Sequence, residues 1–414
     1  MSEQAKTTLI TKSTSLVCHV CSSQLLLDHN NDKRADKASC PTCGTNLFDT
    51  KLPSLSGNLA LAIACLMLLI PVFTTNFISI KLFGVNLHAS LIGSIVQLAN
   101  EGFLILAILV AFCTVVTPVA VCSLVISSHI ALKYRLFSLF KFSMDWLHHL
   151  KPWMMIDVMI ISIAVSCFKL KDYADITFNL GLFSMIFVEV MATLLLSRIS
   201  TRRYWNEWQT FLPPANTSNI IVCNHCSLSQ EEDSNDAVCR RCTHTITKKV
   251  SLEKTWVFLI TATICLIPAN TVPISVLVSM GNITEDTILS GVMTLMKSGM
   301  VEIAAIIFIA SIVVPVAKII GLFYLLLNLK NLQKTSDRTK MKLYYIIHWV
   351  GKWSVLDILV IAIMMLLMDR GQIIDFLPGY GAIAFGAVVI FTMFAAEGFD
   401  PRVLWEQPSQ RDKK

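Results

Sequence analysis

This 414-residue sequence predicts an all-α integral membrane protein built as a tandem repeat, each unit a small cysteine-rich module followed by four transmembrane helices, eight in total. Three observations carry that expectation: an apolar composition, eight long apolar stretches, and residues that recur at an almost constant spacing. AVILMFWYC make up 54% of the chain, charged residues only 15%, and mean hydropathy is +0.64. Soluble domains are about 25% charged, so this chain lacks the polar residues to cover a water-facing surface. The same numbers exclude a disordered chain, a coiled coil and a disulfide-stapled secreted module.

A membrane helix needs about 20 apolar residues. Residues 59–80, 103–126, 153–168 and 178–197 supply four candidates, and 256–280, 301–327, 353–368 and 376–396 supply four more. The third and seventh are short and rely on Lys169 and Arg370 snorkelling at their ends. The polar, cysteine-rich first fifty residues predict no cleavable signal peptide. With the N-terminus cytosolic, 28 of the 34 Lys and Arg fall on cytosolic segments and five on outer loops. Lys318 lies within the membrane. That bias predicts both termini and the central polar segment on the cytosolic side.

Pro71, Gly102 and Pro118 recur 197 residues later as Pro268, Gly299 and Pro315. His148, Trp153, Asp157, Arg202 and Trp205 recur 200 residues later as His348, Trp353, Asp357, Arg402 and Trp405. Four crossings per unit make the two halves parallel, unlike the inverted repeats of many transporters. The expected domains are a first ribbon at 1–52, a four-helix unit at 53–205, a second ribbon at 206–250, a second four-helix unit at 251–407 and a tail at 408–414.

Eight of the 13 cysteines form four Cys-x-x-Cys pairs: Cys18/Cys21, Cys40/Cys43, Cys223/Cys226 and Cys239/Cys242. Two such knuckles converge four thiolates on one point, which predicts one structural Zn2+ per module, with metal binding supplying most of the folding energy. A closed four-thiolate shell leaves no position for a catalytic water. The alternative, two disulfides per module, conflicts with a reducing cytosol. Neither ribbon has the basic stripe with interleaved aromatics that nucleic acid requires. His225 and His244 read as solvated neighbours.

Within the membrane, Lys318 lies more than half-way along the sixth stretch, where a charge costs at least ~2.5–3.5 kcal/mol unless it faces a partner or a wet cavity. Ser311 lies two turns earlier on the same face. Pro315, between them, frees a carbonyl. Ser354, Asp357, Thr392 and Glu397 are candidate partners from the next two stretches. The alternative is a lysine that snorkels to headgroup phosphates. Asp157 and Asp357 read equally as helix caps, and Asp172 reads as a solvated loop charge or as the outer mouth of a cavity. The first half has Val121 where the second has Lys318. No catalytic triad, phosphate-binding loop or zinc-protease motif is present.

Two four-cysteine ribbons, each preceding four helices, combine here with Ile267-Pro-Ala-Asn-Thr-Val-Pro273 and Ser311-Ile-Val-Val-Pro-Val-Ala-Lys318. Gly351-Lys-Trp-Ser-Val-Leu-Asp357 and Phe399-Asp-Pro-Arg402 complete the set, which resembles the paraquat-inducible protein A family over nearly the whole chain. Lys171-Asp-Tyr-Ala174 and Asp286-Thr-Ile-Leu-Ser-Gly291 are most similar to members that partner an MCE-domain tunnel protein. The resemblance implies a Gram-negative inner-membrane protein that is not an enzyme. It implies one that loads or unloads phospholipid to a periplasmic MCE-domain partner and maintains outer-membrane integrity. The competing class is a zinc-ribbon membrane enzyme or redox protein acting on quinones or thiols.

Overall fold

The computed structural model describes residues 14–18, 24–27, 37–41, 43–44, 46–49, 54–82, 85–170, 175–209, 220–223, 225–231, 238–246, 252–279, 282–297, 299, 301–327, 337–351, 355–368, 374–399 and 403. Two hairpins come first: β1 (Thr14–Val17) with β2 (Gln24–Leu27), and β3 (Lys37–Ser39) with β4 (Asn46–Asp49). The first membrane unit follows with α1 (Leu55–Thr74), β5 (Ile78–Leu82), β6 (Val85–Ala89), α2 (Leu91–Asn100) and α3 (Leu104–Ala111). It continues with a π-turn at Phe112–Val116, α4 (Thr117–Tyr134), α5 (Phe137–Leu150), α6 (Ile156–Leu170), β7 (Asp175–Phe178), α7 (Leu180–Arg198) and α8 (Thr201–Trp208).

The second half repeats this order. A hairpin of β8 (Ile220–Val222) and β9 (Ser229–Glu231) precedes α9 (Glu253–Thr271), β10 (Ser275–Ser279), β11 (Asn282–Asp286), α10 (Ile288–Lys297) and α11 (Val301–Phe308). Then come a π-turn at Ile309–Val313, α12 (Val314–Leu327), α13 (Asp337–Gly351), α14 (Leu356–Met368), β12 (Ile374–Pro378) and α15 (Tyr380–Gly398). From β5 to the π-turn each element starts 197 residues before its counterpart, and α7 and α15 are 200 apart. Gly102 and Gly299 hold φ of +88° and +82° at the turns before α3 and α11, a conformation that favours glycine.

Each π-turn has the same cause. Pro118 and Pro315 lack an N–H, and their rings crowd the carbonyls four residues back, those of Thr114 and Ser311. The turn widens to avoid that clash. The proline near the end of the first helix of each unit does less than the sequence suggested. Pro268 does not break α9, which runs on to Thr271. Asn270 Nδ2 donates to the Leu266 carbonyl and Thr271 Oγ1 to that of Ile267, at 2.9 and 3.1 Å, so side chains satisfy this last turn.

The expectation of an all-α protein needs correction. The fold is mostly helical, but each membrane unit carries a three-stranded antiparallel sheet, in the order β6-β5-β7 and β11-β10-β12. Residues 78–80, 275–279 and the starts of the fourth and eighth apolar stretches are strand, not helix. Hydropathy alone cannot tell a short buried strand from a helix end. Among the described residues, six helical runs are long and apolar enough to cross a membrane: Leu55–Thr74, Leu104–Tyr134, Phe137–Cys167, Leu180–Arg198, Ala304–Leu327 and Tyr380–Gly398. Of the other expected crossings, α9 is diluted by Glu253, Lys254 and several threonines, and α14 has only 13 residues.

Helix α1 packs along α7 and α4, and α9 along α15, while α12 lies against α13 and α15. The two halves meet where α14 packs on α6 and α2. Helix α14 is an interior helix: Ile358, Leu359, Val360, Ala362 and Ile363 are all buried. Its short length is therefore not set against bilayer thickness. Gly181 and Gly381 sit at matching places where the last helix of each unit starts. A Cβ on Gly381 would lie 2.5 Å from the Val272 carbonyl oxygen, and one on Gly181 would lie 2.6 Å from that of Asn76. Gly381→Ala is expected to destabilise the sheet–helix junction by about 1–3 kcal/mol, read as a lower melting temperature and lower abundance in membranes. An unchanged melting temperature would show that the junction yields.

Candidate functional site

Three of the four Cys-x-x-Cys turns show a backbone hydrogen bond that folds them. Gly44 N–H donates to the Cys40 carbonyl at 2.8 Å, Ser227 to Cys223 at 3.0 Å and Thr243 to Cys239 at 3.0 Å. All three residues, each just past a second cysteine, have φ between +55° and +80°. The folded-back turn aims both thiols to one side. Cys223, Cys226, Cys239 and Cys242 are buried, with Sγ separations of 3.5 Å for Cys223–Cys242 and for Cys226–Cys239. In the first ribbon Cys18, Cys40 and Cys43 converge likewise, with Cys18 and Cys43 Sγ atoms 3.6 Å apart. Cys21, expected as the fourth ligand, lies outside the described residues.

These separations fit a metal. Disulfide sulfurs are about 2.05 Å apart, whereas a tetrahedron with metal–sulfur distances of about 2.3 Å has edges of about 3.8 Å. The described cysteines are all free thiols, and both clusters have ligand atoms close enough to share one ion.

The second ribbon is fastened to the first membrane unit. The Arg241 guanidinium, only 3% exposed, donates to Asn206 Oδ1 at 2.7 Å on α8 and to the Cys226 carbonyl within the ribbon. Lys141 of α5 donates to Thr243 Oγ1 at 2.9 Å. The His225 and His244 rings stack at 4.1 Å and lie over the Asp145 carboxylate, at 3.1 and 3.4 Å. They were expected to be solvated; instead they are docking contacts. Burial and the neighbouring His244 push the pKa of His225 down to about 4, so its ring is neutral near pH 7. Phe140 stacks on Trp208 at 5.0 Å and meets the Trp205 edge, which ties α5 to α8 beneath the ribbon. Nothing in the sequence marked Arg241 or Asp145, because their partners lie on separate elements.

In the second membrane unit Lys318 is 1% exposed. Its ammonium donates to Thr392 Oγ1 on α15 at 2.9 Å, and the Thr392 hydroxyl donates to the Val389 carbonyl at 3.0 Å. The side chain is turned into the protein. Gly351, at the end of α13, stands against it: a Cβ there would lie 3.7 Å from the ammonium. Ser311, in the π-turn, is fully buried, and its hydroxyl is without a hydrogen-bond partner. Thr392 is thus brought to Lys318, while Glu397 is exposed on another side of α15. Asp357 occupies the first turn of α14, as Asp157 does in α6, but its side chain lies outside the described residues, as do Ser354 and Asp172.

The first half lacks this arrangement. Val121, fully buried, stands at the position of Lys318. Thr114, at the position of Ser311, satisfies its hydroxyl on the Val110 carbonyl at 2.7 Å. The cavity beside Thr114 holds only about 10 Å3 between Leu69, Met159, Met185 and Val188, scarcely room for one water.

The sequence model of the family described as paraquat-inducible protein A matches residues 55–209 and again 252–409, once over each membrane unit. The chain belongs to this family. Relatives in the paraquat-inducible protein A family extend over almost the full length. A probable intermembrane transport protein of Haemophilus influenzae is 33% identical over 386 residues, covering 90% of this chain and 91% of the relative. The lipophilic envelope-spanning tunnel protein A of Escherichia coli is 33% identical over 393 residues, covering 94% and 90%. The intermembrane transport protein PqiA of Escherichia coli is 28% identical over 416 residues, covering 96% and 97%. No solved structure matches the chain. Removing the guanidinium that joins ribbon to α8 is expected to loosen the docking: Arg241→Ala should cost on the order of 3 kcal/mol, because buried partners lose charge-assisted bonds. Limited proteolysis should then cut residues 210–250 faster. Equal protection in the variant would mean that the histidine–Asp145 and Lys141–Thr243 contacts hold the ribbon without it.

Proposed function

We propose that this protein is the inner-membrane component of an intermembrane phospholipid transport system, and that it passes lipid to or from a periplasmic MCE-domain partner. The observation that carries the reading is the buried Lys318–Thr392 pair within a membrane unit, with a buried, unsatisfied Ser311 hydroxyl seven residues before Lys318 on the same helical run. A compact ammonium held at that depth suits a phospholipid phosphate, and Ser354, Asp357 and Asp172 are proposed to complete the polar path. Relatives named as intermembrane transport proteins support transport, not catalysis.

The proposed topology has eight crossings, with α14 as a short interior one, and cytosolic termini and ribbons. Each ribbon is proposed to hold one structural zinc, because a closed thiolate set favours that ion. The zinc folds the ribbon and takes no part in lipid chemistry.

Lys318→Ala should abolish transport while leaving abundance and zinc content near normal, since deleting a buried charge relieves desolvation. Lys318→Arg should recover only part, because a planar fork replaces a compact ammonium. The readout is outer-membrane integrity in cells lacking redundant pathways. Full activity of Lys318→Ala at normal abundance would sink the site.

Elemental analysis should find two zinc ions per purified chain, and Cys239→Ser should remove one of them together with the protease resistance of the second ribbon. Iron in their place would refute the assignment. Cysteines placed at Asn86 and Asn282, on the second strand of each sheet, should react with impermeant maleimide from the periplasmic side. Reaction only after the inner membrane is opened would refute the topology.

A further inference from the structure

A second concave feature lies between the two halves, away from Lys318. It is a groove of about 500 Å3, within the range of about 300–1,000 Å3 typical of small-molecule sites. Ile108 and Phe112 of the first half form one wall, Ile390 and Phe394 of α15 the other, and Trp153 closes the side between them. The lining is almost wholly carbon except at one end, where His149 and Glu397 stand near enough to interact electrostatically. Both are exposed. Ile390 and Glu397 are seven residues apart, about 10 Å along the helix, so the slot runs from an apolar floor to a charged rim.

The surroundings say what fills it. Both walls belong to helical runs long and apolar enough to cross a membrane. Ile105 and Ile108, which line the groove on the first half, are 61% and 59% exposed. Such a surface faces acyl chains, not water. The rim then adds a carboxylate and an imidazole at one level. The His149 Nδ1 lies 2.8 Å from the Asp145 carbonyl, which only accepts, so Nδ1 carries a proton, and Nε2 donates to an anionic ligand in the imidazolium form. An apolar slot beneath one acidic and one basic group matches a zwitterionic amphiphile. The pseudo-equivalent positions are Ser197 and Trp349, so the first half offers no second copy of the rim.

We propose that this groove binds an acyl chain of a cytosolic-leaflet phospholipid with an amine headgroup, Glu397 holding the ammonium and a protonated His149 donating from Nε2 to the phosphate. The leaflet rests on the orientation proposed above; the ligand chemistry does not. The groove would be a holding site for lipid drawn from the bilayer, separate from the Lys318 pair.

The test uses the full chain in nanodiscs of mixed phosphatidylethanolamine and phosphatidylglycerol. A benzophenone amino acid replaces Phe394, and a control replaces Ile70, a lipid-facing residue of α1 at 58% exposure. Mass spectrometry of the adducts should show phosphatidylethanolamine enriched several-fold at Phe394 over Ile70. Adding Glu397→Gln, an exposed and conservative change, should remove the enrichment but keep lipid adducts. Ile108→Trp should fill the slot and lower adduct yield at Phe394 only. Equal adduct composition at the two positions, or enrichment untouched by Glu397→Gln, overturns the proposal. Glu397→Cys should label from the cytosolic face of sealed vesicles, and labelling from the other face overturns the leaflet. Adduct composition is read without transport, so this proposal and the Lys318 reading fail separately.

Discussion

Hydrocarbon offers no hydrogen bonds, so every polar group placed in it must be answered from within the protein. That constraint explains most of the local structure here. Thr74 bonds the Ile70 carbonyl at 3.0 Å, Thr117 the Cys113 carbonyl at 2.8 Å and Ser162 the Val158 carbonyl at 2.8 Å, each hydroxyl folding back on its own helix. Ser162 also reaches the Leu356 carbonyl at 3.2 Å, across the seam between the halves and onto the start of α14. The groups that escape this rule are few, and Ser311 is one of them. A buried hydroxyl left without a partner costs about 1–3 kcal/mol. Carried on the same helical run as a buried lysine, that cost leaves polar capacity in reserve inside the second unit.

The two halves show how one scaffold loses that reserve. Both have the proline, the π-turn and the neighbouring short helices at matching positions. In the first, valine replaces lysine, and a threonine that satisfies itself replaces the serine. The widened turn persists because the proline ring imposes it whatever side chain follows. The backbone device thus does not depend on its use, and the second half pairs it with a buried lysine and an unsatisfied hydroxyl where the first has a valine and a satisfied one.

Much of this was legible in the sequence, and the reasons are physical. The repeat was visible because prolines, glycines and tryptophans hold special positions that tolerate little change. The cysteine knuckles were visible because ligand spacing is fixed by one tight turn. The Lys318–Thr392 contact was legible in outline, since a charge in an apolar run demands a partner. The sheets were not: Ser275–Ser279 and Ile78–Leu82 continue the apolar runs of α9 and α1, which hides the hairpin each makes with the next strand, and the third strand pairs from some hundred positions away without a local mark. The ribbon's anchor was equally hidden, because Arg241, Asp145 and Asn206 are ordinary surface residues until the fold brings them together. Cys21, Ser354 and Asp172 add nothing to this comparison, lying outside the described residues.

Helix α15 joins what would otherwise be separate features. Thr392 faces Lys318, while Ile390, Phe394 and Glu397, spaced at four and three residues, share a face on the opposite side of the helix, against the first half. Tightly packed helices move as bodies, because their interfaces resist continuous deformation. A displacement of α15 that widens the groove on one face must therefore shift the hydroxyl that receives the Lys318 ammonium on the other. Helix α15 also packs extensively along α9, so the two would shift together. The first half is in turn held to the second ribbon through α5 and α8, so the wall opposite α15 is braced from the ribbon side.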